Sequence, residues 1–155
     1  MISSLKKFFE ESLSPIISSE EDVASEMNKR IEFATAALFV ELVNSDYKRD
    51  KAENDLMFEL LKNTFDLDAT KLSELVQLAE DHTATSHDLY QFTSLINEHY
   101  SSIEKITLLE NCWKLAYADG NLDKYEEHFI RKIAGLINLP PSEFIKTKLR
   151  IQNKH

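Results

Sequence analysis

The sequence holds few of the residues that form tight turns. Only two glycines and three prolines occur among its 155 residues. Folds built from many short strands need numerous turns, and glycine and proline are the residues that such turns favour. The long stretches without either residue argue against an all-β or α/β domain, and they predict an all-α fold.

The sequence also lacks a basic surface, a long apolar run and a pair of cysteines. Its 27 acids and 18 bases give a net charge of −9, which argues against nucleic-acid binding because phosphate backbones are bound by basic patches. No run of about 18 apolar residues is present, so we expect no transmembrane segment. A single cysteine, Cys112, and an N-terminus without the apolar segment of a signal peptide predict a cytoplasmic protein.

Residues 1–18 are predicted to form an N-terminal amphipathic helix and a linker. The apolar side chains Ile2, Leu5 and Phe9 fall on one side of this helix, and Ser14-Pro15 ends it. Two roles stay open for residues 1–14: docking on the chain's own domain, or contact with a partner or a membrane surface. The remaining residues, 19–155, are predicted to form one helical domain.

Apolar periodicity predicts the helices of this domain. Residues 31–43 and 106–118 are apolar almost all round, which is typical of helices at the centre of a bundle. Residues 85–88 and 101–104 have the spacing of capping boxes that begin helices, and His82 falls in an expected loop. We therefore predict an all-α, compact, pseudo-symmetric bundle of seven or eight short helices.

Three acids recur at matching positions in two copies that stand 73 residues apart. They are Asp46, Asp50 and Glu53 in the first copy, and Asp119, Asp123 and Glu126 in the second. Each copy follows a long apolar run and precedes an amphipathic one. This layout predicts two repeats of helix, acidic turn and helix, over about residues 31–67 and 104–140.

Helix formation alone explains two of the three acids in each copy, but it does not explain the first. The second and third acids have the spacing of a helix N-cap and its third residue, which stabilises a helix start. The first acid, Asp46 or Asp119, follows the C-terminal end of a helix, where the helix dipole disfavours a carboxylate. Two explanations stay open: the grouped carboxylates bind a cation, or nearby lysines and arginines neutralise them.

The second copy is the better candidate for a metal site. Asp119, Asn121 and Asp123 place oxygen atoms at alternate positions, as at the start of an EF-hand loop. A standard EF-hand is excluded, because Lys124 stands where the loop needs glycine and Ile130 where it needs glutamate. The candidate ligands are those three residues together with Glu126 or Glu127.

A site with oxygen ligands only would suit Ca²⁺, Mg²⁺ or Mn²⁺. In the first copy, Lys48 replaces Asn121 and Asn54 replaces Glu127. We therefore expect the first copy to bind a cation more weakly than the second or not at all.

The segment around the second copy resembles a known family. Ala118-Asp119-Gly120, followed by Glu126 and by the apolar pattern of residues 130–134, is similar to the tellurite-resistance protein B (TerB-like) family. An Ala-Asp-Gly turn with a downstream glutamate is the hallmark of that family. The resemblance extends over about residues 30–150.

The resemblance implies an all-α, pseudo-symmetric domain of a kind found in bacterial tellurite-resistance and stress-response proteins. It also implies metal binding through both acidic turns, although Tyr47 stands where the first turn would have its glycine. The sequence has no nucleophile elbow, phosphate loop or metalloprotease signature. We expect a non-enzymatic stress-response binding domain. The alternative is a metal-free module that binds an unidentified protein partner through its acidic face and N-terminal helix.

Overall fold

A computed structural model describes residues 20–45, 51–86, 88–118 and 120–154, with side chains from residue 25 onward. These residues contain seven helices and no strand, which confirms the predicted all-α bundle. The helices are α1 (Glu20–Val43), α2 (Lys51–Phe65), α3 (Ala69–Thr83), α4 (Tyr90–His99), α5 (Ser102–Ala116), α6 (Lys124–Leu136) and α7 (Pro141–Gln152). The predicted N-terminal helix and linker of residues 1–18 lie outside the described residues, as do Asp46, Asp50 and Asp119.

Helices α1 and α5 form the centre of the bundle, as their apolar runs predict. Helix α1 contacts α2, α3, α4, α5 and α6, and every residue from 33 to 40 is buried. Helix α5 contacts α1, α2, α6 and α7. A helix surrounded in this way needs apolar residues on most of its circumference, which explains why these two segments show little amphipathic periodicity.

The two halves of the bundle bury corresponding positions. In α2 the buried residues are Glu53, Met57 and Leu61, and the residues 73 positions later in α6, which are Glu126, Ile130 and Ala134, are also buried. The third helices correspond as well, because α3 packs on α1 as α7 packs on α5. Each half therefore consists of three helices, and α4 connects them.

Of the two capping boxes predicted from the sequence, one begins a helix and the other does not. The capping box at the start of α5 is confirmed: the Glu104 amide donates to Ser101 Oγ at 3.2 Å, and the Ser101 amide donates to Glu104 Oε1 at 3.0 Å. The capping box predicted at residues 85–88 is wrong, since α4 begins at Tyr90. The amides of residues 85 and 86 instead bond to the carbonyl oxygen of His82, which extends the end of α3.

His82 is also placed differently from the expectation, because it lies in the last turn of α3 and is buried. No described helix is long and apolar enough to cross a membrane.

Candidate metal site at the acidic turns

The turn between α5 and α6 is built by short-range backbone hydrogen bonds. The Tyr117 amide donates to the Trp113 carbonyl at 3.0 Å, and the Ala118 amide donates to the Leu115 carbonyl at 3.2 Å. The Gly120 amide then donates to the Tyr117 carbonyl at 2.9 Å, with a φ of +87° at Gly120. Residues with a Cβ rarely adopt this φ, so glycine reverses the chain here with less strain than another residue.

Asp123 begins α6 as its N-cap. Its side chain accepts a hydrogen bond of 2.7 Å from the Tyr125 amide, and its carbonyl accepts the first helical bond from the Glu127 amide at 3.0 Å. The carboxylate therefore lies at the positive end of the helix dipole, as the sequence predicts. Asn121 lies exposed in the same turn, two residues before Asp123.

The third acid of each copy is buried, which capping does not require. Glu53 is 0% exposed and Glu126 is 1% exposed. Glu104 stands at the same third position of α5, forms a complete capping box and is nevertheless exposed. Burial of a carboxylate is costly unless charges or hydrogen-bond donors compensate it. Its recurrence in both halves therefore marks Glu53 and Glu126 as more than helix-starting residues.

Glu127 contacts the neighbouring helix instead. Its carboxylate lies 3.2 Å from Lys148 Nζ on α7 and 3.9 Å from the guanidinium atom Nη2 of Arg131. The Arg131 guanidinium in turn stacks on the ring of Phe144, 4.4 Å from its centroid. These contacts tie α6 to α7, and they favour Glu126 over Glu127 as a metal ligand.

The turn between α1 and α2 begins like the second one. The Asn44 amide donates to the Val40 carbonyl at 3.0 Å and the Ser45 amide to the Leu42 carbonyl at 3.1 Å, the same bonds 73 residues earlier. Ser45 Oγ also donates to the Leu42 carbonyl at 2.7 Å. The other two acids of this copy, Asp46 and Asp50, belong to the part of the chain without a described structure.

Within the described ranges, no group of three or more His, Cys, Asp or Glu side chains is arranged to hold a metal ion. Asp119 is outside those ranges, so the full predicted set of Asp119, Asn121, Asp123 and Glu126 stays a prediction. Sequence reasoning grouped Glu53 and Glu126 with the other acids of each copy but missed that these two are buried. The apolar residue four positions later on the same helix face, Met57 or Ile130, was the available signal.

The comparison with protein families confirms the family resemblance of the sequence. The sequence matches the family of tellurite resistance protein TerB over residues 32–149, from the middle of α1 to the last helix. No curated protein and no solved structure matches the chain. Because the matched residues make up most of the chain, the protein belongs to the TerB family.

Proposed function

We propose that this TerB domain is a non-enzymatic, cytoplasmic stress-response domain that binds one divalent cation at the turn between α5 and α6. The proposed ligands are oxygen atoms of four residues: Asp119, Asn121, Asp123 and Glu126. The cation would be a structural or sensing element and would take part in no reaction. The observation that carries the proposal is the burial of Glu126 in the first turn of α6.

Several groups can compensate a buried carboxylate at this place. The positive end of α6 stabilises it by about 0.3–1 kcal/mol, or up to about 2 kcal/mol where partly buried. Removing an ion from water costs several kcal/mol, and the helix end is one of several interactions that offset this cost for Glu126. A hard cation with oxygen ligands would balance this charge together with those of Asp119 and Asp123. Such a cation would also join the end of α5 to the start of α6.

The first turn is proposed to bind the cation more weakly or not at all. Its corresponding ligands would be Asp46, Asp50 and Glu53. Lys48 takes the place of the oxygen donor Asn121, and an ammonium group repels a cation. Tyr47 takes the place of Gly120, so this turn lacks the residue that adopts a positive φ without strain.

Thermal unfolding of chelator-stripped protein tests the proposal. With Ca²⁺, Mg²⁺ or Mn²⁺ at one hundred times the dissociation constant, linkage stabilises the folded state by about 2.7 kcal/mol. For a domain of this size, the melting temperature would rise by roughly 5–11 °C. The shift should be lost in Asp119→Asn and kept in Asp46→Asn. If none of the three cations raises the melting temperature, cation binding is refuted.

A second pair of variants separates ligation from helix capping. Glu126→Gln should abolish the cation-dependent shift, because the amide keeps the size of the side chain but removes its charge. Glu104→Gln is the matched control, since it changes the same third helix position in a true capping box and should leave the shift intact. Equal cation-dependent shifts in both variants would reduce Glu126 to a structural residue.

The alternative function is a metal-free module that recognises a basic or amphipathic protein through the acidic face and the N-terminal helix. The net charge of −9 supports it, because such a charge steers basic partners toward the surface. A partner complex that forms equally well in chelator and with Asp119→Asn would favour this alternative. A complex that requires the cation would favour the first proposal.

A further inference from the structure

A polar cavity opens between the two central helices, apart from the acidic turns. It consists of two adjoining pockets of about 130 Å³ and about 400 Å³, and both are lined by Thr64, Tyr100 and Glu104. Positions 28, 31, 32 and 35 of α1 form one wall, and positions 104, 107, 108 and 111 of α5 form the other. Both sets have the spacing of a single helix face.

Two polar residues of the core, Thr35 and Asn111, form part of the floor of this cavity. Thr35 is 2% exposed and Asn111 is 8% exposed. In α1 the residue that corresponds to Asn111 is Leu38, an apolar core residue. An amide at such a position replaces apolar packing, which a sequence selected only for stability would keep.

The polar groups of the floor have little to bond to within the protein. The Thr35 hydroxyl lies 3.4 Å from the Tyr100 hydroxyl, at the long limit of a hydrogen bond. Among the described residues, the Asn111 side chain lines the cavity and makes no hydrogen bond with any other residue. The Asn111 amide is therefore available to bond with a molecule that enters the cavity.

The rim of the cavity is negatively charged. Glu32 and Glu104 line it, and none of the described lysines and arginines does. Burial raises the pKa of Glu32, and the positive charges of Lys29 and Lys71 oppose that rise only in part. A cation that entered the cavity would compensate the Glu32 carboxylate directly.

We propose that this cavity binds a primary alkylammonium group, carried either by a free amine or by a lysine side chain of a partner protein. An ammonium has three N–H donors and no acceptor. The floor offers the oxygen atoms of Thr35, Tyr100 and Asn111 as acceptors, while the rim carboxylates balance the charge. The apolar side chains of Ile31 and Phe65 at the wall suit the methylene stem. The residues proposed to bind a metal cation at the turn between α5 and α6 take no part in binding the ammonium group.

The test is an NMR titration of ¹⁵N-labelled protein in chelator, which keeps it independent of cation binding at the turn. Two amine probes are compared with neutral counterparts of the same length: pentylamine with pentanol, and an acetyl-Gly-Lys-Gly-amide peptide with its norleucine equivalent. An amine probe should shift the amides of residues 28–35, 99–111 and 64–65 in a saturable manner. The neutral counterparts should not.

Charge variants locate the binding. Glu32→Gln with Glu104→Gln should weaken amine binding at least tenfold, and glutamine at position 104 still accepts the capping bond. Glu59→Gln with Glu74→Gln removes the same charge from exposed positions outside the cavity and should change binding less than twofold. Asn111→Leu should abolish binding without lowering the melting temperature, because it restores the residue of the corresponding position in α1.

The two probe arms identify the source of the group. Saturable binding of pentylamine would identify the ligand as a free amine. Binding of the lysine peptide alone would identify it as a lysine side chain of a partner protein. Either outcome supports the cavity as an ammonium site. The proposal is overturned if neither amine shifts the lining residues, if the neutral probes shift them equally, or if both pairs of charge variants weaken binding alike.

Discussion

The two acidic turns begin with the same backbone hydrogen bonds and then differ in the residues that could bind a cation. Both start with a bond from the residue after the helix to a carbonyl four positions earlier, at Val40 in the first turn and Trp113 in the second. Both are followed by a helix whose third residue is a buried glutamate. Only the second turn has glycine and asparagine between its acids, where the first has Tyr47 and Lys48.

This difference shows that the two turns share their backbone hydrogen bonds but not the residues that could bind a cation. The backbone bonds at the start of each turn are present in both halves, so they are the parts that the bundle requires. The neutral oxygen donor and the glycine are present in one half only, so they are not needed for folding and mark the turn in which we propose function.

The largest expected effect concerns the contact between the first and third helices of each half. In the second half the Trp113 indole N–H donates to Thr147 Oγ1 at 3.1 Å within the core. The residues 73 positions earlier are the buried Val40 and the exposed Glu74, so the first half has an apolar side chain where the second has the indole donor. Thr147→Val should lower the free energy of unfolding by about 1–3 kcal/mol, because it leaves the indole N–H buried without an acceptor. Chemical denaturation measures this loss.

The control is Thr107→Val, which removes an exposed hydroxyl that bonds only to the Ile103 carbonyl of its own helix, at 3.0 Å. We expect its change in unfolding free energy to stay within about 0.5 kcal/mol. Equal losses in Thr107→Val and Thr147→Val would show that the contact between the indole and the hydroxyl is unimportant.

The next effect concerns Gly120, which gives the second turn its shape. Gly120→Ala should destabilise the protein by about 1–2 kcal/mol, because a side chain disfavours its φ of +87° even though no atom lies within 4 Å of the added Cβ. Gly135 has open space around it too and lies inside α6, so Gly135→Ala should instead stabilise by about 1 kcal/mol. Thermal melts that move in the same direction for both variants would contradict this account of the turn.

A gain-of-function variant tests whether the residues that differ between the two turns account for their predicted difference in cation affinity. Tyr47→Gly together with Lys48→Asn gives the first turn the glycine and the amide of the second. We expect cation affinity at the first turn to rise at least tenfold, equivalent to about 1.4 kcal/mol, and calorimetry should then detect a second equivalent. If stoichiometry and affinity stay unchanged, the two residues do not explain the difference between the turns.

The smallest expected effect is a pH dependence located in the first half. His82 packs against the rings of Phe33 and Phe92, with centroids 6.0 and 5.3 Å away, and burial lowers its pKa below the ordinary 6.5. The unfolded chain therefore binds this proton more tightly than the folded one. The stabilising contribution is complete above pH 6.5 and is lost as the pH falls toward the lowered folded pKa.

Melting curves between pH 5 and pH 8 should show this loss in the native sequence, and His82→Gln should reduce it. The control is His128→Gln, which changes an exposed histidine on α6 and should leave the pH profile as it is. A profile that is unaffected by His82→Gln would assign the pH dependence to other groups.

The sequence predicted the helices well because the patterns that define them are local. Apolar periodicity located the two central helices, and the spacing of Ser101 and Glu104 identified a true capping box. The similar spacing at residues 85–88 failed because the end of α3 had already taken those amides, and local patterns do not reveal that competition.

The sequence predicted which acids belong to the candidate site but not whether each acid is buried or exposed. Sequence spacing grouped the acids of each turn, yet it could not show that Glu53 and Glu126 are buried while Glu104 is exposed. It also missed Asn111, because a single amide in an apolar run gives no periodic signal. Comparison with Leu38 at the corresponding position would have identified it.

The central claim is that one divalent cation binds at the second acidic turn and none at the first under the same conditions. The most direct test follows amide chemical shifts of ¹⁵N-labelled, chelator-stripped protein during titration with Ca²⁺ and then Mg²⁺. The account predicts saturable shifts at Gly120, Asn121 and Asp123 with one equivalent of cation, no comparable shifts at Asn44 and Ser45, and loss of the response in Asp119→Asn. An absence of saturable shifts, or equal shifts at both turns, would contradict it.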